Sequence, residues 1–202
     1  MKKYSILIAL LMFAISSYSN CWDYEDDIDS WYSYWGVGYS FTFYPTSIQQ
    51  SVDELNNSEN VNHLPLCVDL FGIYLTLPSS NTTMAGVIFN LINDRYNNGN
   101  YGGQSIQYNH YLISASTQHY FDIIGRGYFL RADLGMAFMT ANNPFYSRQS
   151  AGSETGWGFL AGAGYAVPIE DGPSVTLSIN YTHKLISSEG YGGLMIGISA
   201  LL

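Results

Sequence analysis

The most constraining feature of this 202-residue chain is a two-residue alternation of apolar with small or polar side chains. In the first such segment, the odd-numbered residues from Trp35 to Phe43 are all apolar or aromatic, and the even-numbered ones between them are glycine, serine and threonine. A period of two indicates a β-strand whose two faces meet different surroundings. Eight segments are predicted as strands on this basis: 31–44, 65–77, 83–95, 107–121, 127–140, 156–169, 175–187 and 191–202.

The connections between these strands alternate in length. Long polar stretches follow the first, third and fifth strands (45–64, 96–106 and 141–155), and short turns follow the second, fourth and sixth (78–82, 122–126 and 170–174). Each strand reaches the roughly 9–11 residues that a tilted strand needs to cross a bilayer. Short turns at one end and long loops at the other are typical of a transmembrane barrel. The predicted fold is all-β: an eight-stranded antiparallel up-and-down transmembrane barrel, closed by pairing of strand eight with strand one because lipid tolerates no open edge.

The N-terminus has a different pattern, which predicts a cleaved secretory signal peptide. Met1-Lys2-Lys3 is followed by a short apolar run and then by small polar residues up to Ser19. The apolar run is too short for a spanning helix, which needs roughly 20 residues. We therefore predict a signal peptide at 1–19, an acidic periplasmic tail at 20–30 and the barrel at 31–202.

The charge of the chain argues against nucleic acid as a partner. The chain carries 7 basic and 16 acidic residues, for a net charge of −9. Such a chain is a poor nucleic-acid binder, because phosphate neutralisation needs clustered Lys and Arg.

Aromatic residues reach 16% of the chain, and two aromatic girdles at the membrane boundaries are predicted. The inner girdle comprises Trp31, Trp35, Tyr120, Phe121, Tyr128 and Tyr165, and the outer one Phe43, Tyr44, Tyr108, Phe138, Trp157, Phe159, Tyr181 and Tyr191.

Two cysteines, Cys21 and Cys67, would suggest a disulfide in an oxidising compartment. The predicted topology argues against it, because Cys21 lies in the inner tail and Cys67 begins a strand that descends from an outer loop. They are expected to lie about a membrane thickness apart, roughly 25 Å, whereas bridged Cα atoms lie within about 7 Å. Lipidation of Cys21 is disfavoured because the preceding Tyr18-Ser19-Asn20 is unlike a small-residue acceptor motif.

Strand four has the least regular alternation. Its apolar face changes sides near Leu112 and Ile113, and a β-bulge is the predicted cause.

The chain resembles the small outer-membrane β-barrel superfamily, which includes the OmpA transmembrane domain, the opacity proteins and the Ail/OmpX-like barrels. The resemblance rests on the alternating loop lengths, on the glycine-rich strand 156–165 and on the last strand. In the family that strand has a glycine followed at plus three and plus five by hydrophobic residues, the final one usually Phe or Trp. Gly197, Ala200 and Leu202 keep this spacing, although Leu202 is not aromatic. The resemblance implies a Gram-negative outer-membrane location and contact with the insertion machinery, membrane lipid and lipopolysaccharide.

Ionisable residues on the inward faces of the strands are the candidate site. A polar cluster in the lumen is predicted to consist of Asp69, Arg131, Asp133 and Lys184. Their charges are expected to pair with one another, because buried charges need partners. A lined pore is the alternative, and a filled interior is favoured because eight strands leave little open space. No cofactor and no metal site are expected, since the histidines show no ligand spacing.

His183, Trp35 and Trp157 are predicted to be interfacial residues on the outer surface of the barrel. His183 is the strongest catalytic candidate, because some lipid A deacylases of similar architecture place a His and a nearby Ser on a lipid-facing strand. Ser187 and Ser188 are too far along the strand to stand beside it, so no catalytic residue is predicted.

Function is expected at the outer loops, where function usually lies on such a scaffold. The first loop is long and acidic, with Asp53, Glu54 and Glu59. The leading hypothesis is a non-enzymatic outer-membrane protein whose loops mediate surface interaction: adhesion, or contact with a host or with the envelope. The alternatives are a lipid A-modifying enzyme and a soluble lipocalin-like binder.

The orientation of the strand faces separates the membrane barrel from the soluble binder. Phe41, Leu134, Ala161 and Ile196 are predicted to point out into lipid, and Gly38, Asp133, Gly162 and Gly197 to point inward. The opposite arrangement would indicate a soluble barrel with an apolar lumen.

Overall fold

The computed structural model describes residues 31–98, 105–142, 151–169 and 173–202. The predicted signal peptide, the acidic tail and Cys21 lie outside the described residues, so the predictions about them, including the absence of a Cys21–Cys67 disulfide, stay predictions.

Eight antiparallel strands form a closed barrel in which each strand pairs with the next and the eighth pairs with the first. The fold class predicted from the alternation is confirmed. The strands are β1 Trp31–Phe43, β2 Val61–Thr76, β3 Thr83–Asn98, β4 Ser105–Tyr120, β5 Gly127–Asn142, β6 Ala151–Pro168, β7 Ser174–Ile186 and β8 Glu189–Leu201. The short turns after β2, β4 and β6 define the inner end of the barrel, and the opposite end is called the outer end.

Several strands continue further towards the outer end than the alternation predicts. β2 begins at Val61 instead of residue 65, and β3 extends to Asn98. Polar side chains occupy the outward face towards this end. Asn62 and Asn97 are cross-strand neighbours in the extensions, and before them Asn93 donates to Asn109, which donates to Thr140. Backbone pairing continues past the apolar band, so the alternation ends before the strand does.

The strand faces lie as predicted. Phe41, Leu134 and Ile196 are exposed on the outside of the barrel, Leu134 by 62%, and Asp133 is buried in the lumen. Large apolar residues on the outside with ionisable residues in the lumen are what a barrel in lipid requires, and a soluble binder would need its apolar faces inward. The lipocalin-like alternative is therefore wrong.

The β7–β8 connection is a tight turn at the outer end. Only Ser187 and Ser188 separate the strands, with φ angles of 49° and 71°. Two successive left-handed residues are the geometry of a type I′ hairpin, which matches the twist of the flanking strands.

The lumen contains two apolar clusters as well as polar groups. The inner cluster includes Tyr34, Tyr74 and Phe129; the outer cluster includes Ile92, Leu112 and Met195. The predicted bulge in strand four is wrong, because β4 pairs with both neighbours without a register shift around Leu112. Leu112 faces inward simply because the lumen is apolar at that level.

Four members of the predicted aromatic girdles belong to the lumen instead. Tyr120 is fully buried in the inner cluster, and Tyr44 and Tyr191 are buried in the outer cluster. Tyr108 packs on the outer cluster, with its ring against those of Tyr44 and Tyr96. These predictions were wrong because nearness to a membrane boundary sets the depth of a residue but not the side of the wall on which it lies.

One helix, α1 (Thr46–Asn56), lies in the connection between β1 and β2. It was not predicted, although Ile48, Val52 and Leu55 follow the helical spacing of three and four residues. Among the described residues, no helix has the length and apolar character needed to cross a bilayer.

Candidate functional site

Helix α1 packs against the outer mouth of the barrel. Val52 is only 3% exposed, and Ile48 and Leu55 pack beside it on the outer apolar cluster of the lumen. One face of the helix is therefore buried, as the spacing of its apolar residues requires. The lumen thereby acquires an apolar cover at the outer end.

The opposite face of α1 is exposed and polar. Gln49 donates a hydrogen bond to Asp53 at 2.8 Å, and Gln50 donates to Glu54 at 3.4 Å, each across one helical turn. Ser58 donates to the backbone oxygen of Glu54 at 2.8 Å just beyond the helix. These contacts order a surface of amides and carboxylates at the outer end, which we call the α1 polar face (Thr46, Gln49, Gln50, Asp53, Glu54, Asn57 and Ser58).

Beneath α1 lies a buried carboxylate, Asp94 of β3. The Tyr44 hydroxyl donates to its Oδ2 at 2.6 Å, and Nε2 of His63 lies 3.2 Å from its Oδ1. His63 stacks on Tyr96 with ring centroids 4.3 Å apart. Burial, with the neighbouring Asp94 charge, raises the pKa of the Tyr44 phenol well above its ordinary value. Tyr44 therefore keeps its proton and remains a donor.

Lys184 and His110 lie in the same outer half of the lumen, and both are almost completely buried. Neither Nζ of Lys184 nor Nε2 of His110 has a hydrogen-bond partner within the described part of the chain. The His110 ring lies between those of Tyr44 and Tyr191, with centroids 5.6 and 5.4 Å away. The Lys184 ammonium interacts electrostatically with Asp94.

Asp69, Arg131 and Asp133 meet at mid-lumen. The Arg131 guanidinium donates to Asp69 at 2.8 Å and to Asp133 at 2.7 Å. Asn90 also donates a hydrogen bond to Asp69, and Ser116 donates one to Asp133. This arrangement is a bidentate network in which every charge is hydrogen-bonded. The structure places Lys184 outside it: no ion pair joins Lys184 to these three residues in the described ranges.

The lumen is filled at this level. Arg131 lies over the Tyr34 ring, 5.4 Å from its centroid, and is 2% exposed. A cavity of about 10 Å³ beside the network is lined by Asp69, Asn90 and Asn180, among others. That volume holds about one water molecule. The geometry therefore supports a structural interior and not a wide channel.

The predicted interfacial residues lie on the outer surface of the barrel. Trp35 packs edge-on against Phe71 at 5.3 Å, and Trp157 is 53% exposed. The cross-strand neighbours of His183 are Phe159 and Gly192, neither of which has a nucleophilic side chain.

A different histidine does meet a hydroxyl group. His119 Nδ1 lies 2.9 Å from Thr83 Oγ1 on the exterior near the inner end. Sequence spacing cannot reveal this pair, since the partners are on different strands. No carboxylate is bonded to this histidine among the described residues, and none of their His, Cys, Asp and Glu side chains form a group that could hold a metal ion.

No protein-family model matches the chain, and no characterised protein matches its sequence. Its fold is similar to that of Ail, the attachment invasion locus protein of Yersinia pestis. One structure of Ail, in complex with the heparin analogue sucrose octasulfate, matches this chain with a TM-score of 0.52 and 14% sequence identity. The match covers 86% of this chain and 100% of Ail. A second structure of Ail is 15% identical, with a TM-score of 0.50 and the same coverage. Neisserial surface protein A is 16% identical over 85% of this chain and 97% of its own, with a TM-score of 0.45. At these identities the likeness to Ail concerns the fold alone, and the chain has the fold of the small Gram-negative outer-membrane barrels.

Proposed function

We propose that this protein is a non-enzymatic barrel of the Gram-negative outer membrane that acts through its outer end, where α1 and the loops contact other molecules or surfaces. The observation that carries the proposal is the contrast between the filled lumen and the outer end of the barrel. The lumen is filled at Arg131, so it offers no wide path for a solute. The outer end instead presents an ordered polar helix outward, and binding surfaces commonly lie on such connections.

The charge of the α1 polar face limits the kinds of surface that can bind there. Asp53 and Glu54 are exposed there, and Glu59 follows just beyond the helix. Arg95 is exposed at the same end, so the surface is mixed but predominantly acidic. A sulfated polyanion like the one bound to Ail would meet these carboxylates. We therefore propose a neutral or cationic partner surface, because like-charge contact suppresses binding.

Contacts with the membrane belong to the same proposal. The apolar exterior would face membrane lipid, and the outer boundary near Trp157 and His183 would face lipopolysaccharide. Insertion machinery would recognise the last strand through Gly197, Ala200 and Leu202, as the family resemblance implies.

An adhesion assay tests the proposal. The protein would be displayed on a non-adherent Gram-negative strain, and attachment to cultured host cells and to immobilised cationic or sulfated polymers would be counted. We expect attachment to rise over the empty strain, and the double substitution Asp53→Lys/Glu54→Lys to reduce it. Asp122→Lys, at an exposed inner turn, is the matched control and should leave attachment unchanged. Equal attachment by the empty strain would contradict the proposal.

The same strains also test the alternative that the protein is a lipid A-modifying enzyme. Mass spectrometry of their lipid A should show identical species with and without the protein. A lost or added acyl chain would favour a lipid A-modifying enzyme, for which the surroundings of His183 give no support.

A further inference from the structure

A single buried carboxylate contacts both ends of the connection that carries α1. Tyr44 is the residue that follows β1, and His63 is near the start of β2. Both bond Asp94, one to each carboxylate oxygen. An ionised carboxylate only accepts hydrogen bonds, so the His63 tautomer that fits this contact carries its proton on Nε2. Asp94 is fully buried and so is its bond to Tyr44, whereas the bond to the exposed His63 is only partly buried.

The barrel wall is incomplete at this level. Backbone pairing between β1 and β2 ends at Gly38 and Cys67. Beyond it, β1 continues to Phe43 against β8 only, and β2 reaches back to Val61 against β3 only. Pro65, which has no N–H to donate, lies two residues beyond the last pair. Over this stretch of described residues, the position of the α1 connection therefore depends on side chains and not on a backbone ladder.

The apolar face of α1 covers two buried basic groups. Lys184 and His110 lie below it with Nζ and Nε2 unbonded to any described residue. Asp94 supplies the negative charge that interacts with Lys184. The same carboxylate thus contacts both ends of the connection that carries the cover and interacts electrostatically with the lysine beneath it.

We propose that α1 is a movable lid over the outer mouth and that Asp94 is its latch. With the Tyr44 and His63 bonds in place, the lid is closed and Lys184 is sealed from the outside. When those bonds break, α1 swings away while the barrel stays intact, and the buried basic groups become accessible from the cell exterior. This device does not depend on whether the α1 polar face binds a partner.

The sequence provides a direct reporter of lid opening. Lys184 is the only lysine after Lys3, so acylation of its side chain by a small water-soluble amine reagent identifies one site by peptide mass. The protein would be folded into lipid nanodiscs, and the acylation rate of Lys184 measured together with hydrogen exchange of the α1 amides. Amides of the β5–β6 pairs serve as the internal standard for barrel integrity.

Two substitutions break the latch in different ways. Asp94→Asn leaves one acceptor oxygen for two donors, and Tyr44→Phe removes one donor but keeps the charge beside Lys184. Tyr44→Phe is decisive, because Asp94→Asn also alters the electrostatic surroundings of the reporter. Asn93→Ala is the matched control: its side chain is on the neighbouring position of β3, faces outward and bonds Asn109.

We expect Lys184 acylation and α1 exchange to rise at least fivefold in both latch variants, since one hydrogen bond to a charged acceptor corresponds to about tenfold or more in an opening equilibrium. The Asn93→Ala protein should match wild type. A smaller rise in Tyr44→Phe, or an equal rise in the β5–β6 amides, would overturn the latch. If Asp94→Asn fails to fold, His63→Gln replaces it under the same criterion.

Discussion

Replacing Arg131 by methionine would leave two carboxylates buried without a cation. Arg131 donates to Asp69 and to Asp133, and all three groups are nearly inaccessible to solvent. Breaking a buried ion pair by removing one partner costs about 3–5 kcal/mol. We expect a loss in that range and not twice as much, because Asp69 still accepts from Asn90 and Asp133 from Ser116.

The assay is equilibrium unfolding in phospholipid vesicles by guanidinium, followed by tryptophan fluorescence and by the gel migration of unboiled samples. The triple variant Arg131→Met/Asp69→Asn/Asp133→Asn removes every charge and should recover at least about 2 kcal/mol of the loss. Arg126→Met removes the same side chain from an exposed ion pair with Asp122 at 3.2 Å, which should cost less than about 1 kcal/mol. The reasoning is refuted if Arg131→Met costs under about 1 kcal/mol, or if the triple variant is no more stable than the single one.

Two further predictions concern the faces of the wall. Ile196→Arg, on the outward face near the middle of β8, should cost about 2–4 kcal/mol of insertion stability, whereas Asn62→Arg at the exposed outer end should cost little; equal costs in vesicle unfolding would contradict a lipid-facing Ile196. Gly162→Val should cost about 1–3 kcal/mol by overpacking, because a Cβ there would overlap the side chain of Asn180. Ala161→Val, one residue away on the lipid face, is the control, and a destabilisation as large as that of Gly162→Val would show that lumen packing is not the cause.

The alternation of side chains was sufficient to predict the strands because it is a local property. Every residue on a strand points to the side opposite its neighbour, so Leu134 and Asp133 could be assigned to opposite faces without any knowledge of the partners. The same argument failed wherever both faces carry similar side chains. Tyr120 was assigned to a girdle and Leu112 to a bulge because the lumen contains apolar clusters that no alternation reveals.

The latch and the mid-lumen network could not be predicted as contacts. Arg131 and Asp69 are 62 residues apart, and Tyr44 and Asp94 are 50 apart. Which inward side chains meet depends on the register of each strand pair and on the closure of the barrel. For the same reason Lys184 could be placed in the lumen, but its separation from Asp69, Arg131 and Asp133 could not be predicted.

The sequence by itself thus determined the number of strands, their faces and the ends at which the long connections lie, because each of these follows from side chains close together along the chain. Only the tertiary structure decided how the lumen is filled and how α1 covers it. Closure of the sheet brings β2 and β5 to face one another across a lumen narrow enough for Arg131 to donate to Asp69 at 2.8 Å, and that distance is set by the geometry of the whole barrel.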